Sequence, residues 1–178
     1  MIAYRNADRR FPFLWEDSAQ PPERWHGAGE GPAQYLSDTP NGAWAEFLRH
    51  EEIRDATDVP TVNRAIWAVE IGDPSMSVPR LPAADLRGDP SSYARCRSEA
   101  RRLRSQGARA LEAPSAALVP GAARGWRVDG GVVGAEPRDG KTIVLWGRRP
   151  EVEGWPVVME AAPDESLLPA VRHFGAAP

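Results

Sequence analysis

Four polar side chains, dispersed over the first two-thirds of the chain, are the residues whose types and spacing suit a reaction: Arg24, Tyr35, Glu46 and Ser115, with Trp25 beside the first. Tyr35 lies eleven positions after Arg24, and Glu46 eleven positions after Tyr35. A carboxylate such as Glu46 stabilises positive charge that develops on a reacting centre. The planar fork of an arginine suits a phosphate or carboxylate held by two parallel hydrogen bonds. A tyrosine offers both a stacking surface and a hydroxyl. Ser115, next to Pro114, offers a second hydroxyl at a turn. Taken one at a time, each has a plainer reading: a solvated carboxylate, a surface arginine, packing aromatics and a turn hydroxyl. The phosphate-binding and nucleophile motifs that announce themselves locally are missing. The nearest, Gly27-Ala-Gly29-Glu-Gly31, does not lie between a strand and a helix.

These residues need elements to bring them together. Residues 2–5 read as a first strand and residues 6–34 as irregular chain rich in Pro, Gly and Trp. Tyr35–Ser37 reads as a short strand. Thr39-Pro40 is a helix start, with Thr39 as N-cap and Pro40 at the first helical position, where a missing N–H costs nothing. That helix runs to His50 or Ile53, with Trp44, Phe47, Leu48 and Glu51 along one side and Glu46 and His50, four apart, along the other. Glu46 therefore faces water or a cleft. Residues 65–71 form an apolar strand. Asp89-Pro90 opens a second helix as cap and first position, with Tyr93, Cys96, Ala100 and Leu103 as its apolar stripe and Gly107 as its stop. Strands follow at 109–113, 124–128, 142–146 and 155–160, with 142–146 as the central one, and a short helix near 164–173 is weakened by Pro169. The expected class is α+β in one domain spanning 1–178.

Composition narrows the function. The net charge of −3 lacks the basic surplus of a duplex-binding protein, so direct nucleic-acid binding is not expected. Arginines dominate the cations, with Lys141 alone among lysines. Cys96 is the single cysteine, so there is no internal disulfide and no cysteine-based zinc site, and its place on an apolar stripe marks a buried, inert thiol. No apolar run has the length of a membrane span or a signal peptide, so a cytoplasmic protein is expected. His26 and His50 rank below Glu46 as reactive groups; His50, one turn on, is placed to orient it.

Read in order, Arg24-Trp25-His26-Gly27, Tyr35-Leu-Ser-Asp-Thr-Pro40, Ala45-Glu46-Phe-Leu-Arg-His50 and Gly107-Ala-Arg-Ala-Leu-Glu-Ala-Pro-Ser115 resemble the RES domain, named for its Arg, Glu and Ser, over about residues 1–173. Two flanking positions depart from it: Glu23 stands where the family usually has Gly, and His26 where it has Asn or a small polar residue. The resemblance implies a fold similar to ADP-ribosyltransferases, with small mixed or antiparallel sheets forming an NAD⁺ cleft. It implies an NAD⁺-consuming enzyme that cleaves the nicotinamide–ribose bond as a glycohydrolase or, with inorganic phosphate as acceptor, a phosphorylase. It also implies a toxin neutralised by a protein antitoxin with a helix-turn-helix domain. NAD⁺ enters as substrate and no metal is implied. Glu46 would steady the oxocarbenium-like centre, Arg24 the pyrophosphate, Tyr35 and Trp25 the rings, and Ser115 the ribose or Glu46. An ADP-ribosyltransferase acting on a protein or small molecule, and a non-catalytic interaction domain on the same scaffold, are the alternatives.

Overall fold

Apolar runs and their turns resolve into one six-stranded sheet carrying its helices on a shared face; the computed structural model describes residues 1–72 and 74–175. In chain order the elements are β1 (Ile2–Ala7), β2 (Ala33–Ser37), α1 (Pro40–His50), β3 (Arg64–Glu70), α2 (Ala83–Arg87), α3 (Tyr93–Ser105), β4 (Ala110–Pro114), β5 (Trp126–Val128), β6 (Val132–Gly134), β7 (Lys141–Trp146) and β8 (Glu153–Ala161). The sheet order is β4-β7-β2-β1-β3-β8, with every neighbouring pair antiparallel. This is the expected α+β class, with the Thr142–Trp146 run central to its half of the sheet.

The pairing is uneven, and the unevenness makes the cleft. β7 pairs with β2 from Ala33↔Trp146 to Ser37↔Thr142 and with β4 from Ala110↔Leu145 to Pro114↔Lys141. β1 pairs with β3 from Ile2↔Glu70 to Ala7↔Ala65, and β3 carries β8 on its other edge. Between β1 and β2 a single pair, Tyr4↔Ser37, is in register. The sheet is thus two three-stranded halves hinged at one point, and Arg5 bridges the divergence by donating from Nη1 to the Tyr35 carbonyl at 2.8 Å. Burial, reinforced by the neighbouring Arg64 charge, lowers the Arg5 pKa.

Each half has its own cover. Over the β4-β7-β2 half, Cys96, Ala100 and Leu103 of α3 and Leu86 of α2 pack on Trp25, Leu111, Val144 and Trp146. Over the β1-β3-β8 half, Trp44 and Leu48 of α1 pack on Ile66, Leu118, Leu167 and Val171. The opposite face is closed by Leu36, Val69, Ile143 and Leu145 with Phe13 and Trp67, whose rings stack at 4.9 Å between centroids. Alternation along each strand sends neighbouring residues to opposite faces, so β2 gives Leu36 to one layer and Tyr35 to the other.

Helix α1 starts as its sequence dictates. Thr39 is extended, its hydroxyl accepts from the Gly42 N–H at 3.0 Å, and Pro40 is the first helical residue. The second start differs from expectation. Asp89 makes no side-chain cap, Pro90–Ser92 form a 3₁₀ turn, and α3 begins at Tyr93. Asp89 is drawn elsewhere: its carboxylate lies 3.6 Å from Arg49 and accepts from the Gly175 N–H at 3.0 Å. α2 was not anticipated. The expected 124–128 strand is shorter, Trp126–Val128, and forms with β6 a separate two-stranded ribbon. The expected helix near 164–173 is a 3₁₀ helix, Glu165–Ala170, capped by Asp164 and containing Pro169.

Two substitutions test this account. Leu48 has no exposed surface, and Leu48→Ala is expected to destabilise the fold by about 2–5 kcal/mol in chemical denaturation. Thr39→Ala removes the cap and is expected to cost about 1 kcal/mol, a shift in denaturation midpoint without a change in slope.

Candidate active site

The two helical covers leave a gap above the hinge of the sheet, and the residues facing it enclose a cavity of about 320 Å³. Its floor is Tyr4, Tyr35, Ser37 and Thr142 from the strands; Glu46, Arg49 and His50 of α1 form one side, and Arg24, Leu86 and Tyr93 the other. Arg24, Trp25, Tyr35 and Glu46 all border this one cavity, although they arise from a loop, a strand and a helix. Ser115 lies behind Glu46, joined to it through its hydroxyl.

Glu46 is half-buried on the helix face that looks into the cleft rather than open water. Thr142 Oγ1 donates to its Oε1 at 3.0 Å, and Ser115 Oγ approaches the same oxygen at 3.4 Å, a long contact. Ser115 is only 4% exposed, and its hydroxyl oxygen also accepts the N–H groups of Ala117 and Leu118, each at 3.2 Å. With its acceptor capacity given to the turn, its one proton is directed at Glu46. Ser115 therefore contacts the cavity only through the Glu46 carboxylate it reaches. Thr142, which sequence reasoning missed, holds Glu46 more closely than Ser115 does. The available signal was a polar residue near the start of an otherwise apolar central strand.

Arg24 is 7% exposed, and its N–H groups are engaged. Nη1 donates to the Asp85 carbonyl at 3.0 Å and to Ser92 Oγ at 3.3 Å, Nη2 donates to the Gly88 carbonyl at 2.6 Å, and the guanidinium lies 4.6 Å from the Tyr93 ring centre. A second arginine, Arg49, meets it at the same acceptor, donating from Nη2 to the Gly88 carbonyl at 3.1 Å, and its guanidinium packs 4.2 Å from the Phe174 ring centre. Glycine is required at this hub: a Cβ on Gly88 would lie 2.5 Å from the Ala84 carbonyl oxygen. Arg49 is 2% exposed, and sequence reasoning passed over it as one arginine among many. Its signal was a place immediately after Leu48 on the buried side of α1.

The aromatic residues are more deeply set than stacking surfaces would be. Trp25 is 1% exposed, belongs to the core under α3 and only borders the cavity. The Tyr35 hydroxyl accepts the Trp25 N–H at 2.9 Å and lies 3.0 Å from His26 Nδ1. Having accepted once, that hydroxyl can give its proton to the ring nitrogen of a neutral His26. Burial depresses the His26 pKa, which favours that form, and burial raises the Tyr35 phenol well above its ordinary range, so it remains a hydroxyl. Cys96 is fully buried, with burial raising its pKa, as an inert thiol should be. Among the described residues, no group of three His, Cys, Asp or Glu side chains is arranged to hold a metal ion.

Two more carboxylates border the cavity, Glu23 and the exposed Glu51. Glu23 sits 3.9 Å from His50 Nε2 and is half-buried. Burial raises its pKa, with the Glu46 charge adding to the rise and His50, Arg97 and Arg24 opposing it. The cleft thus carries carboxylates and arginines along the same walls.

Comparisons with known proteins agree with this architecture. No curated protein sequence matches the chain. A chain in the crystal structure of the M. tuberculosis MbcT–MbcA toxin–antitoxin complex superposes with a TM-score of 0.61 at 15% identity, covering 94% of this chain and 86% of that one. At that identity the likeness establishes the fold. The RES domain family matches residues 3–167, a span that takes in both sheet halves, the cleft between them, Arg24, Glu46 and Ser115. On that match, the chain belongs to the RES domain family.

Proposed function

We propose that the chain, acting as one domain, cleaves the nicotinamide–ribose bond of NAD⁺. The observation that carries this reading is Glu46, a carboxylate fixed by the Thr142 and Ser115 hydroxyls inside an arginine-lined cleft. Departure of nicotinamide needs little help, because its ring nitrogen is cationic in NAD⁺ and becomes neutral on leaving. The difficulty lies in the positive charge left on ribose, an oxocarbenium-like centre as in glycoside hydrolysis. A preorganised carboxylate stabilises that charge without reorganising at the moment of reaction. With Oε1 taken by two hydroxyls, Oε2 is the oxygen free to meet the ribose.

Arg24 and Arg49 give the cleft the positive potential that a pyrophosphate requires. Their N–H groups already serve protein acceptors, the Asp85 and Gly88 carbonyls and Ser92 Oγ for Arg24 and the Gly88 and Arg172 carbonyls for Arg49, so their role toward the substrate is electrostatic and architectural. Trp25 and Tyr35 act chiefly as the wall and floor that support the ring of a bound nucleotide. The family match, with the likeness to a toxin–antitoxin complex, supports a cytoplasmic toxin held in check by a partner protein, for which a helix-turn-helix antitoxin is the expected type. Transfer of ADP-ribose to a protein or small molecule uses the same first step and differs in the acceptor.

Purified protein incubated with NAD⁺ is expected to release nicotinamide. Glu46→Gln is expected to lower the rate by about 10²–10³-fold with the fold intact. Ser115→Ala, which loosens Glu46 without removing it, is expected to lower kcat by about tenfold, one contact of about 1.4 kcal/mol, with KM little changed. Full activity in Glu46→Gln would sink the assignment. Chromatography with mass detection of the second product separates free ADP-ribose, its phosphate and a modified acceptor.

A further inference from the structure

Glu23 differs from most buried or half-buried carboxylates of this chain in how it is spent. Asp85 is held by Arg95 at 2.9 Å, Glu99 by Arg102 at 2.7 Å and Glu30 by Arg101 at 2.6 Å. Glu23 has a single charged contact among the described residues, His50 at 3.9 Å, beyond hydrogen-bond distance. Its neighbour Arg24 donates to the Asp85 and Gly88 carbonyls and to Ser92 Oγ, and not to Glu23. The Glu23 main chain, by contrast, is fixed on both sides: its N–H donates to the His26 carbonyl at 3.1 Å, and its carbonyl accepts from Arg97 Nε at 2.8 Å. A rigid loop thus presents a carboxylate with unspent acceptors to the cavity that Glu46 also enters.

We infer that Glu23 is the general base that delivers water to the ribose, and that its charge turns anionic acceptors away, so that this cleft hydrolyses rather than phosphorolyses its substrate. The inference rests on the NAD⁺-cleaving reading above. Hydrolysis of a sugar glycosidic bond also divides its work between two carboxyl groups, one of them taking a proton from the attacking water while the other protonates the leaving group; cationic nicotinamide leaves without a proton, so here the second carboxylate, Glu46, meets the developing cation instead. In the step, the water oxygen bonds to ribose C1′ as the C1′–N bond breaks. The bond pair leaves with nicotinamide, and one water proton passes to the Glu23 carboxylate and from there to solvent. Inorganic phosphate needs no base but brings negative charge against two carboxylates, and like charges in a partly desolvated cleft repel. The groups facing Glu23 are His50 and Glu46 of α1, Arg97 and Tyr93 of α3, Arg24 beside it and Tyr35 of β2.

The test is the partition of NAD⁺ between water and phosphate, read as free ADP-ribose against its 1-phosphate, at fixed NAD⁺ and rising inorganic phosphate. The wild-type protein is expected to give ADP-ribose throughout. Glu23→Gln, which preserves shape, is expected to lower hydrolysis by about 10²-fold and to shift the product ratio toward the phosphate ester by at least about tenfold, as repulsion weakens. The wild-type hydrolysis rate is expected to rise with pH through an ionisation above the usual carboxylate range, because the base must be unprotonated, and the variant is expected to lack that limb. An unchanged product ratio in Glu23→Gln, or the phosphate ester as the main wild-type product, overturns the inference while nicotinamide release upholds the parent reading. Absence of nicotinamide release from the wild type overturns both. If Glu23→Gln does not fold, the wild-type partition decides the matter alone.

Discussion

The pairing of Tyr4 with Ser37 is the contact on which the cleft depends. It joins two halves of a sheet that otherwise have separate helical covers, and it does so at one register position. Had β1 and β2 paired along their length, as β1 and β3 do over six positions, the sheet would be continuous and its covers would meet. Because they diverge, a polar gap opens in the middle of a hydrophobic layer. Buried polar groups usually find partners, and several around the gap do: Arg5 Nη1 on the Tyr35 carbonyl, Thr142 on Glu46, the Tyr35 hydroxyl on Trp25 and His26, while Arg5 Nε and Asn6 Nδ2 beside it have none.

The second organising feature is the Gly88 carbonyl. Two guanidinium groups converge on it from opposite sides of the cleft, one from the loop before β2 and one from α1. Like charges this close would separate in water. Here each is held by carbonyl dipoles and an aromatic face, Tyr93 for Arg24 and Phe174 for Arg49. The result is a fixed positive lining built from backbone geometry, which leaves the carboxylates of the cleft free of direct arginine contacts. In a chain whose surface carries many arginine–carboxylate pairs, that separation inside the cleft sets it apart from the rest of the surface.

Much of this was legible in the sequence where a local rule operates alone. Thr39-Pro40 starts a helix, the Ile-Val-Leu run of β7 makes a buried strand, and the 3.6-residue period places Glu46 away from Trp44 and Leu48. Legibility failed where partners distant in sequence decide the outcome. Asp89 looks like a cap but is claimed by Arg49 and Gly175. Thr142 looks like any strand threonine until α1 is laid over it, and Arg49 looks like a surface cation until Gly88 and Arg172 offer carbonyls. α2 is five residues between a proline and a glycine, too short for periodicity to register. Trp25 and Tyr35 border the cavity, but the depth at which each sits depends on α3, which lies some sixty to seventy residues further along the chain.

The β5–β6 ribbon stands apart from all of this. Trp126, Val128 and Val132 are 73%, 85% and 72% exposed, and the two three-residue strands pair with each other alone. So small a hairpin is marginal by itself in water, and opening it exposes almost no new apolar surface. Its amides therefore belong to the cheapest local unfolding events of the molecule, while those of β7, buried on both faces, report global unfolding. Ribbon and cleft share no strand pairing, so the stretch from 126 to 134 is free to change its sequence and length, whereas its two roots are not, since Ala123 is buried against α1 and Arg138 is paired with Asp38.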